Sequence, residues 1–587
     1  MQIQRTSLFT ILKVIFISIA LIFISSVIFA AQGDYQRKSI SSLDTIWISP
    51  KAQSIVNRYI EKDLVNRLIE FYIENPRFDK NVLPDNIISN FISQARYLDE
   101  INATSLAELL NRTVVKSIVN ILNDPEIQKA RLDSFKDEAA YQSFAATKAK
   151  SYGLTGEELE SLMNSAYIYL PFISQAYFYY NEIFEDDYIQ IDGGIVWWEI
   201  VIDEKGATTV VEEAVLDTSG SSPVTEFERS DDEFVNLVVD FILGSPYDVK
   251  FGKDTWTIID SKKRAFNVAS MGFIKEMSIG TKKIENFKLS AQIVEKDGDT
   301  YGFPLGFNEG VHLDDGFYLK EYVENSSGEV ESVTKGYMRV SKTGQNNDDE
   351  TVLSYGSQII GSPVSIGDMV VEDPKTDVSY KFNLGITKGI NVTTEHLWNA
   401  SSGDASQKLD VELIVSYNLA PVIGISQLFV EVDLGAGIMF VRPNSSEGYS
   451  NVIPITISPY LGIRKSFGKQ LFIDGSVGIG FDILGNLFTY GGDEYITGPI
   501  GFGVKAGIAA GYIINPELKI SGEYIQRFTL GDYSSSSYMV NGESYDGDPT
   551  NYNDFTLAGS TFSISLTWSL AELGAGFMNF LDPLKKF

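Results

Sequence analysis

The 587-residue chain contains no cysteine. Disulfides, zinc–thiolate sites, iron–sulfur clusters, a cysteine nucleophile and an acylated-cysteine lipid anchor are thereby excluded. Histidine is almost as scarce: His312 and His396 are the two, far apart in the chain. A histidine metal cluster or a Ser-His-Asp triad has little to draw on. Basic residues are in deficit, with Lys+Arg 47 against Asp+Glu 78 and a net charge of −31. A general nucleic-acid binder needs a basic footprint, so no nucleic acid is expected as partner. Beyond the N-terminus no apolar run approaches eighteen residues, so no second spanning helix is expected.

What is present supports folded domains. The chain is 44% hydrophobic and 12% aromatic, enough for packed cores, and its length implies two or three domains. Residues 1–31 read as a signal peptide. Met1–Lys13 carries Arg5 and Lys13 and no acid, Val14–Ile28 is apolar, and Ala30-Ala31 precedes the polar Gln32-Gly33-Asp34. The alternative is an uncleaved membrane helix. Either one addresses the remainder out of the cytoplasm.

From about Tyr380 helical spacing gives way to period-two alternation. Ile473, Val477 and Ile479 fall opposite Asp474, Gly478 and Gly480. Phe502, Val504 and Ile508 fall opposite Gly501, Gly503, Lys505 and Gly507. Ile564, Leu566 and Trp568 fall opposite Ser563, Ser565 and Thr567. Eight such segments run over 379–390, 408–419, 427–441, 452–466, 470–487, 499–514, 517–531 and 555–570. Each reaches the ~9–11 residues that a tilted membrane strand needs, and the count is even.

Short connections at Ala420–Ser426, Gly468–Lys469 and Asn515–Pro516 alternate with long polar ones near 391–407, 442–451, 488–498 and 532–554. Transmembrane barrels pair short periplasmic turns with long outer loops. That places both ends of the barrel, and everything before it, on the periplasmic side. The expected lipid-facing residues are Ile473, Val477, Ile479, Phe502, Val504, Ile508, Ile564, Leu566 and Trp568. The expected interior charges are Glu431, Asp433, Asp474, Lys505, Glu523 and Arg527, with Lys381, Asp410 and Glu412 on the same face. A soluble sandwich or lipocalin-like barrel would reverse the two faces.

On these features, residues 375–570 resemble the eight-stranded outer-membrane anchor barrels, the OmpA-, OmpX- and OmpW-like group. The resemblance implies an anchor held in outer-membrane lipid. The tail 571–587 spaces Leu573, Phe577, Phe580 and Leu581 at helical intervals, as a short amphipathic periplasmic helix would.

Residues 32–290 read as a periplasmic α/β domain. A strand at 37–48 precedes a helical stretch at 51–165, broken at Pro76, Pro84, Pro125 and Gly153. Strands follow at 165–171, 188–203 and 207–217, with helices at Asp231–Leu243 and Ser261–Met277. Residues 291–374 read as a small five-stranded SH3-like β domain marked by glycine turns. The order α/β then small β domain, over 165–372, is similar to periplasmic proteins of the curli-secretion and flagellar-assembly accessory group. Trp197-Trp198 reads as buried core rather than a glycan platform.

No motif carries catalysis, metal or cofactor chemistry, so no enzyme and no cofactor are expected. The expected function is an outer-membrane barrel that anchors a periplasmic interaction domain, with envelope proteins as partners. The alternative is a narrow channel or a component of an envelope transport or secretion apparatus.

Overall fold

The computed structural model describes residues 38–569 apart from 60–61, 75–76, 133–143, 146, 183–185, 204, 225–260, 325–329, 345–351, 376, 393–404, 440–448, 491–492, 498–499, 532–536, 541–542 and 547–555. The leader at 1–31, the helix expected at Asp231–Leu243 and the tail at 571–587 lie outside the described residues.

The N-terminal part is a sheet covered by helices on both faces. Its strands are β1 (Lys38–Ser42), β2 (Trp47–Ile48), β3 (Phe78–Val82), β4 (Tyr167–Asn181), β5 (Asp186–Ile202) and β6 (Thr208–Pro223), in the order β3-β1-β4-β5-β6 with β2 beside β4. β1 runs parallel to β3 and β4, whereas β4, β5 and β6 form an antiparallel meander.

Successive strand residues point to opposite faces, so the adjacent Trp197 and Trp198 serve different cores. Trp198 joins Ile168, Leu170, Phe172 and Val196 under helices Asp85–Ala95, Ala103–Leu110 and Gly156–Asn164. Trp197 stacks on Tyr169 at 4.7 Å and joins the core closed by helices Pro50–Tyr59, Lys62–Ile69 and Ser261–Lys283. The helix starts follow from capping residues. Asn102 and Thr155 each accept from the backbone N–H three residues on, in reciprocal capping boxes with Ser105 and Glu158. Gly220 admits helix Ser261–Lys283 close to β6, because a Cβ there would strike the Ala269 carbonyl and the Phe273 backbone.

The expected helical stretch at 51–165 is corrected at one place. Phe78–Val82 is a strand, paired in parallel register with Lys38–Ser42. Pro76 and Pro84 fence off too few residues for a helix, and the open edge of β1 offers hydrogen bonds instead. β4 also runs past Pro171 to Asn181, ten residues beyond the expected end.

The middle part consists of β7 (Ser290–Gln292), β8 (Glu295–Asp297), β9 (Thr300–Phe303), β10 (Gly316–Glu324), β11 (Val330–Lys342), β12 (Ser354–Gly361) and β13 (Met369–Asp373), in the order β7-β13-β10-β11-β12-β9-β8. β7 and β8 are almost continuous in the chain yet sit at opposite ends of this path, so the sheet curls round Phe303, Phe317, Leu319, Met338 and Val370. Seven strand segments stand where five were expected. The surplus comes from pieces of three or four residues, too short for alternation to register.

The C-terminal part is a closed ring of β14 (Val378–Val392), β15 (Ala405–Asn418), β16 (Leu428–Met439), β17 (Tyr449–Gly468), β18 (Leu471–Tyr490), β20 (Ile500–Ile513), β21 (Leu518–Thr529) and β24 (Ser560–Trp568). Each neighbour pair is antiparallel, and β14 pairs with β24 from Tyr380↔Trp568 to Lys388↔Ser560. All eight expected segments are strands of this ring. Within the long connections, β19 (Asp493–Thr497), β22 (Ser537–Val540) and β23 (Glu543–Asp546) extend the sheet from β18, where loop alone was expected.

Candidate functional site

The pleat of the barrel sorts its side chains into two populations. On the outside, Ile473, Val477, Ile508 and Ile564 are 54%, 59%, 57% and 67% exposed. Ile479, Phe502, Val504, Leu566 and Trp568 share that face and are half-buried by their neighbours. Tyr512, Tyr524, Phe528 and Phe382 add exposed aromatic rings. On the inside, Lys381, Asp410, Glu412, Glu431, Asp433, Asp474, Lys505, Glu523 and Arg527 are all buried. This is the reverse of a soluble barrel, whose apolar side chains point inward. An apolar outer band around a polar interior is the pattern of a transmembrane barrel.

These nine charges are paired. Lys381 reaches Glu523 at 2.7 Å, and Asn383 donates to both Glu412 at 3.0 Å and Glu523 at 3.1 Å. Arg527 pairs with Glu412 and donates to Thr561 at 2.8 Å. Lys505 pairs with Asp433, and Lys408 lies 3.0 Å from Asp410. Arg464 bridges Glu431 and Asp474, and its guanidinium lies over the Phe429 ring at 4.2 Å.

Arg464 and Lys408 are two of the interior cations that the sequence reading omitted. Both obey the alternation, Arg464 standing one residue from outward Ile463, so the signal was available. Tyr460 also points inward and donates to Asp482 at 2.9 Å. Gly480 and Gly503 make room for its ring; a Cβ at Gly480 would lie 2.7 Å from it. Burying ions is costly unless each has a partner, and an eight-stranded ring leaves an interior that side chains fill. Pairing and filling together make this interior a packed core.

The short-turn end of the ring is occupied by the middle β part, which touches all three short turns together with Lys375, the residue just past β13 that lies over the Tyr337 ring. Asp314 accepts from Ser426 Oγ at 2.6 Å and from the Gln427 backbone N–H. Lys469 reaches Asp299 at 3.4 Å. Lys375 donates to the Pro516 carbonyl at 3.0 Å. Between these contacts, Tyr337 and Ile359 of the β part bury against Phe472 and Ile513 of the barrel, with Tyr318 and Ile360 packed beside them. Burial, with the charge of Asp373 nearby, pushes the Tyr337 phenol well above its ordinary range, so it stays neutral at the seal. Arg339 follows two residues along β11, within electrostatic reach of Asp314 and of Asp474 in the barrel.

This docking was not foreseen. Its signal is the run Leu471-Phe472-Ile473, in which a bulky apolar residue takes an inward position.

The other junction joins the N-terminal sheet to the β part. Arg77 grips Glu372 through two hydrogen bonds, one of 2.7 Å, and also donates to the Phe287 carbonyl at 3.0 Å. Phe287 lies edge-on to Tyr167, Phe78 and Trp197. Among the described residues no group of three or more His, Asp or Glu could hold a metal ion.

No family model matches the chain, and no curated relative matches it. Among solved structures, surface protein A of Neisseria is 14% identical, covering 34% of this chain and 100% of its own with a TM-score of 0.22. A major outer membrane protein of Thermus thermophilus is 12% identical, covering 32% and 98%, TM-score 0.23. The N-terminal β-barrel domain of OprF from Pseudomonas aeruginosa is 10% identical, covering 33% and 98%, TM-score 0.19. The barrel assignment itself stands on strand pairing and on the burial of the two faces.

Proposed function

We propose that this protein is an outer-membrane anchor that holds an α/β domain in the periplasm through a β module seated in the mouth of the barrel. The observation that carries the reading is the seat: one module, together with Lys375, touches all three short turns and covers inward Phe472 and Ile513. Short turns face the periplasm in bacterial barrels, which supports a periplasmic position for the module and for the α/β domain joined to it. The module thereby serves as a spacer between membrane and head.

An anchor is favoured over a conduit because nine of the interior charges pair inside the ring and the mouth is covered. Nothing in the described residues supports a catalytic role, and none is proposed. The α/β domain is the head that meets envelope partners.

The test is gel mobility of the membrane-extracted protein, unboiled against boiled in SDS, together with protease added to whole cells. A heat-dependent shift, with cleavage confined to the long connections, is expected. Release of the unshifted protein by a carbonate wash would refute the anchor.

A further inference from the structure

The two faces of the β4–β5–β6 meander are treated differently at its far end. One face, bearing Ala176, Phe178, Ile189 and Ile191, is packed under helix Ser261–Lys283. Among the described residues, the helices of the other core cover the opposite face as far as Phe172 and Val196. A bulge between Ile173 and Gln175 resets the alternation. Beyond it Gln175, Tyr177, Tyr179, Tyr188, Gln190 and Asp192 share the uncovered face, flanked by exposed Ser219 and Ser221 of β6.

The three phenol rings form a bent row, Tyr179 standing beside Tyr177 along β4 and opposite Tyr188 on β5, with neighbouring ring planes tilted by 50° and 35°. Tyr177 and Tyr179 are 6.2 Å apart between centroids, and Tyr179 and Tyr188 are 5.7 Å apart. Beside them Gln190 donates to Asp192 at 2.9 Å, which fixes the carboxylate next to the rings.

We propose that this face binds a β-1,4-linked glycan strand of the cell wall. Three features select a sugar. The rings offer flat π surfaces to the C–H faces of pyranose units. The amides, the carboxylate and the serine hydroxyls offer donors and acceptors to ring hydroxyls. The described side chains of this face include no Lys or Arg, so it offers no cation to a polyanion and suits a neutral hydroxylated ligand.

Position selects the wall. The junction toward the barrel lies where Tyr167 meets Phe287, and Tyr179 stands twelve residues further along β4, roughly 40 Å away at strand rise. The row therefore projects from the membrane-proximal end toward the periplasmic space, an assignment that rests on the anchor reading. Sugar recognition by the face does not rest on it.

The experiment uses the detergent-purified full chain and cell-wall sacculi stripped of protein by boiling SDS and protease. Wild-type protein is expected to sediment with the sacculi and to return to solution when a muramidase digests them. Tyr177→Ser/Tyr179→Ser is expected to lower the bound fraction about tenfold, the loss of two stacking rings. Tyr180→Ser, at the exposed strand end but on the other face, is expected to bind as wild type. Gel heat-modifiability of each preparation reports the barrel separately.

Three outcomes overturn the platform: wild type with an intact gel shift that stays in solution, a double variant that sediments like wild type, or retention only on envelope that still carries protein. The last would assign the face to a protein partner.

Discussion

Arg77 and Glu372 face each other across the junction between the α/β domain and the β module, the guanidinium closing on the carboxylate through two hydrogen bonds while both side chains are buried. Lone burial would raise the Glu372 carboxyl. The charge and hydrogen bonds of Arg77, aided by Lys282 and the Leu289 N–H, outweigh it and hold the carboxyl below its ordinary value. Its contribution to stability is therefore complete above the unfolded pKa of about 4.3 and is lost as pH falls through the lower folded value. Acid titration of the full chain in detergent, followed by limited proteolysis between 283 and 290, is expected to show the junction opening only below that range. Opening at neutral pH would contradict the pair.

Removing one partner is harsher than protonation. Glu372→Ala leaves Arg77 buried without its anion and is expected to cost about 3–5 kcal/mol. Thermal unfolding of the extramembrane part, read by tryptophan fluorescence from Trp197 and Trp198, measures it. A shift under about 0.5 kcal/mol would place the pair among weak surface bridges.

Arg464 neutralises both Glu431 and Asp474 inside the barrel. Arg464→Met strands two buried carboxylates, so the temperature at which the unboiled gel form converts to the boiled form is expected to fall. Adding Glu431→Leu, which removes one stranded charge, is expected to restore part of the loss. No fall in Arg464→Met would mean that water, not Arg464, satisfies those acids.

Lipid-facing and interior positions answer differently to charge. Val477→Lys sets an ammonium on the outer band near mid-strand, at an expected cost of about 2–4 kcal/mol. Denaturant unfolding of the barrel in lipid vesicles measures it. A neutral result would put that face in water and return the barrel to a soluble class.

Tyr337→Asp places a charge in the seal against Phe472 and Ile513. The module is expected to leave its seat, and protease is expected to cut at 420–427, a turn held by Asp314 in the docked form. Planar-bilayer recordings are expected to show no step conductance in wild type or in the variant, because the interior pairs still fill the ring. Conductance that appears only in the variant would make the module a gate and favour the transport reading.

The barrel was legible because period-two alternation over ten or more residues has few other readings. Every expected segment became a strand; Ile473, Val477 and Ile564 are exposed, and Glu431, Lys505 and Arg527 are buried. Legibility failed where structure depends on a distant partner. Phe78–Val82 has one buried side chain among five and becomes a strand only because β1 lies beside it. The row of tyrosines on β4 and β5 depends on a bulge at Ile173, which shifts every later residue by one place. Docking of Tyr337 on Phe472 joins positions more than a hundred residues apart, and local pattern is silent on that. Trp197 and Trp198, read as core, are core, though in two separate ones.

The ring closes by pairing its first strand, β14, with its last, β24. Three separate hairpin ends supply the module's footholds, and their spacing is fixed only once that seam has zipped. The module lies ahead of all of them in the chain, yet its seat exists only in the closed ring, where β18 and β20 together cover Tyr337.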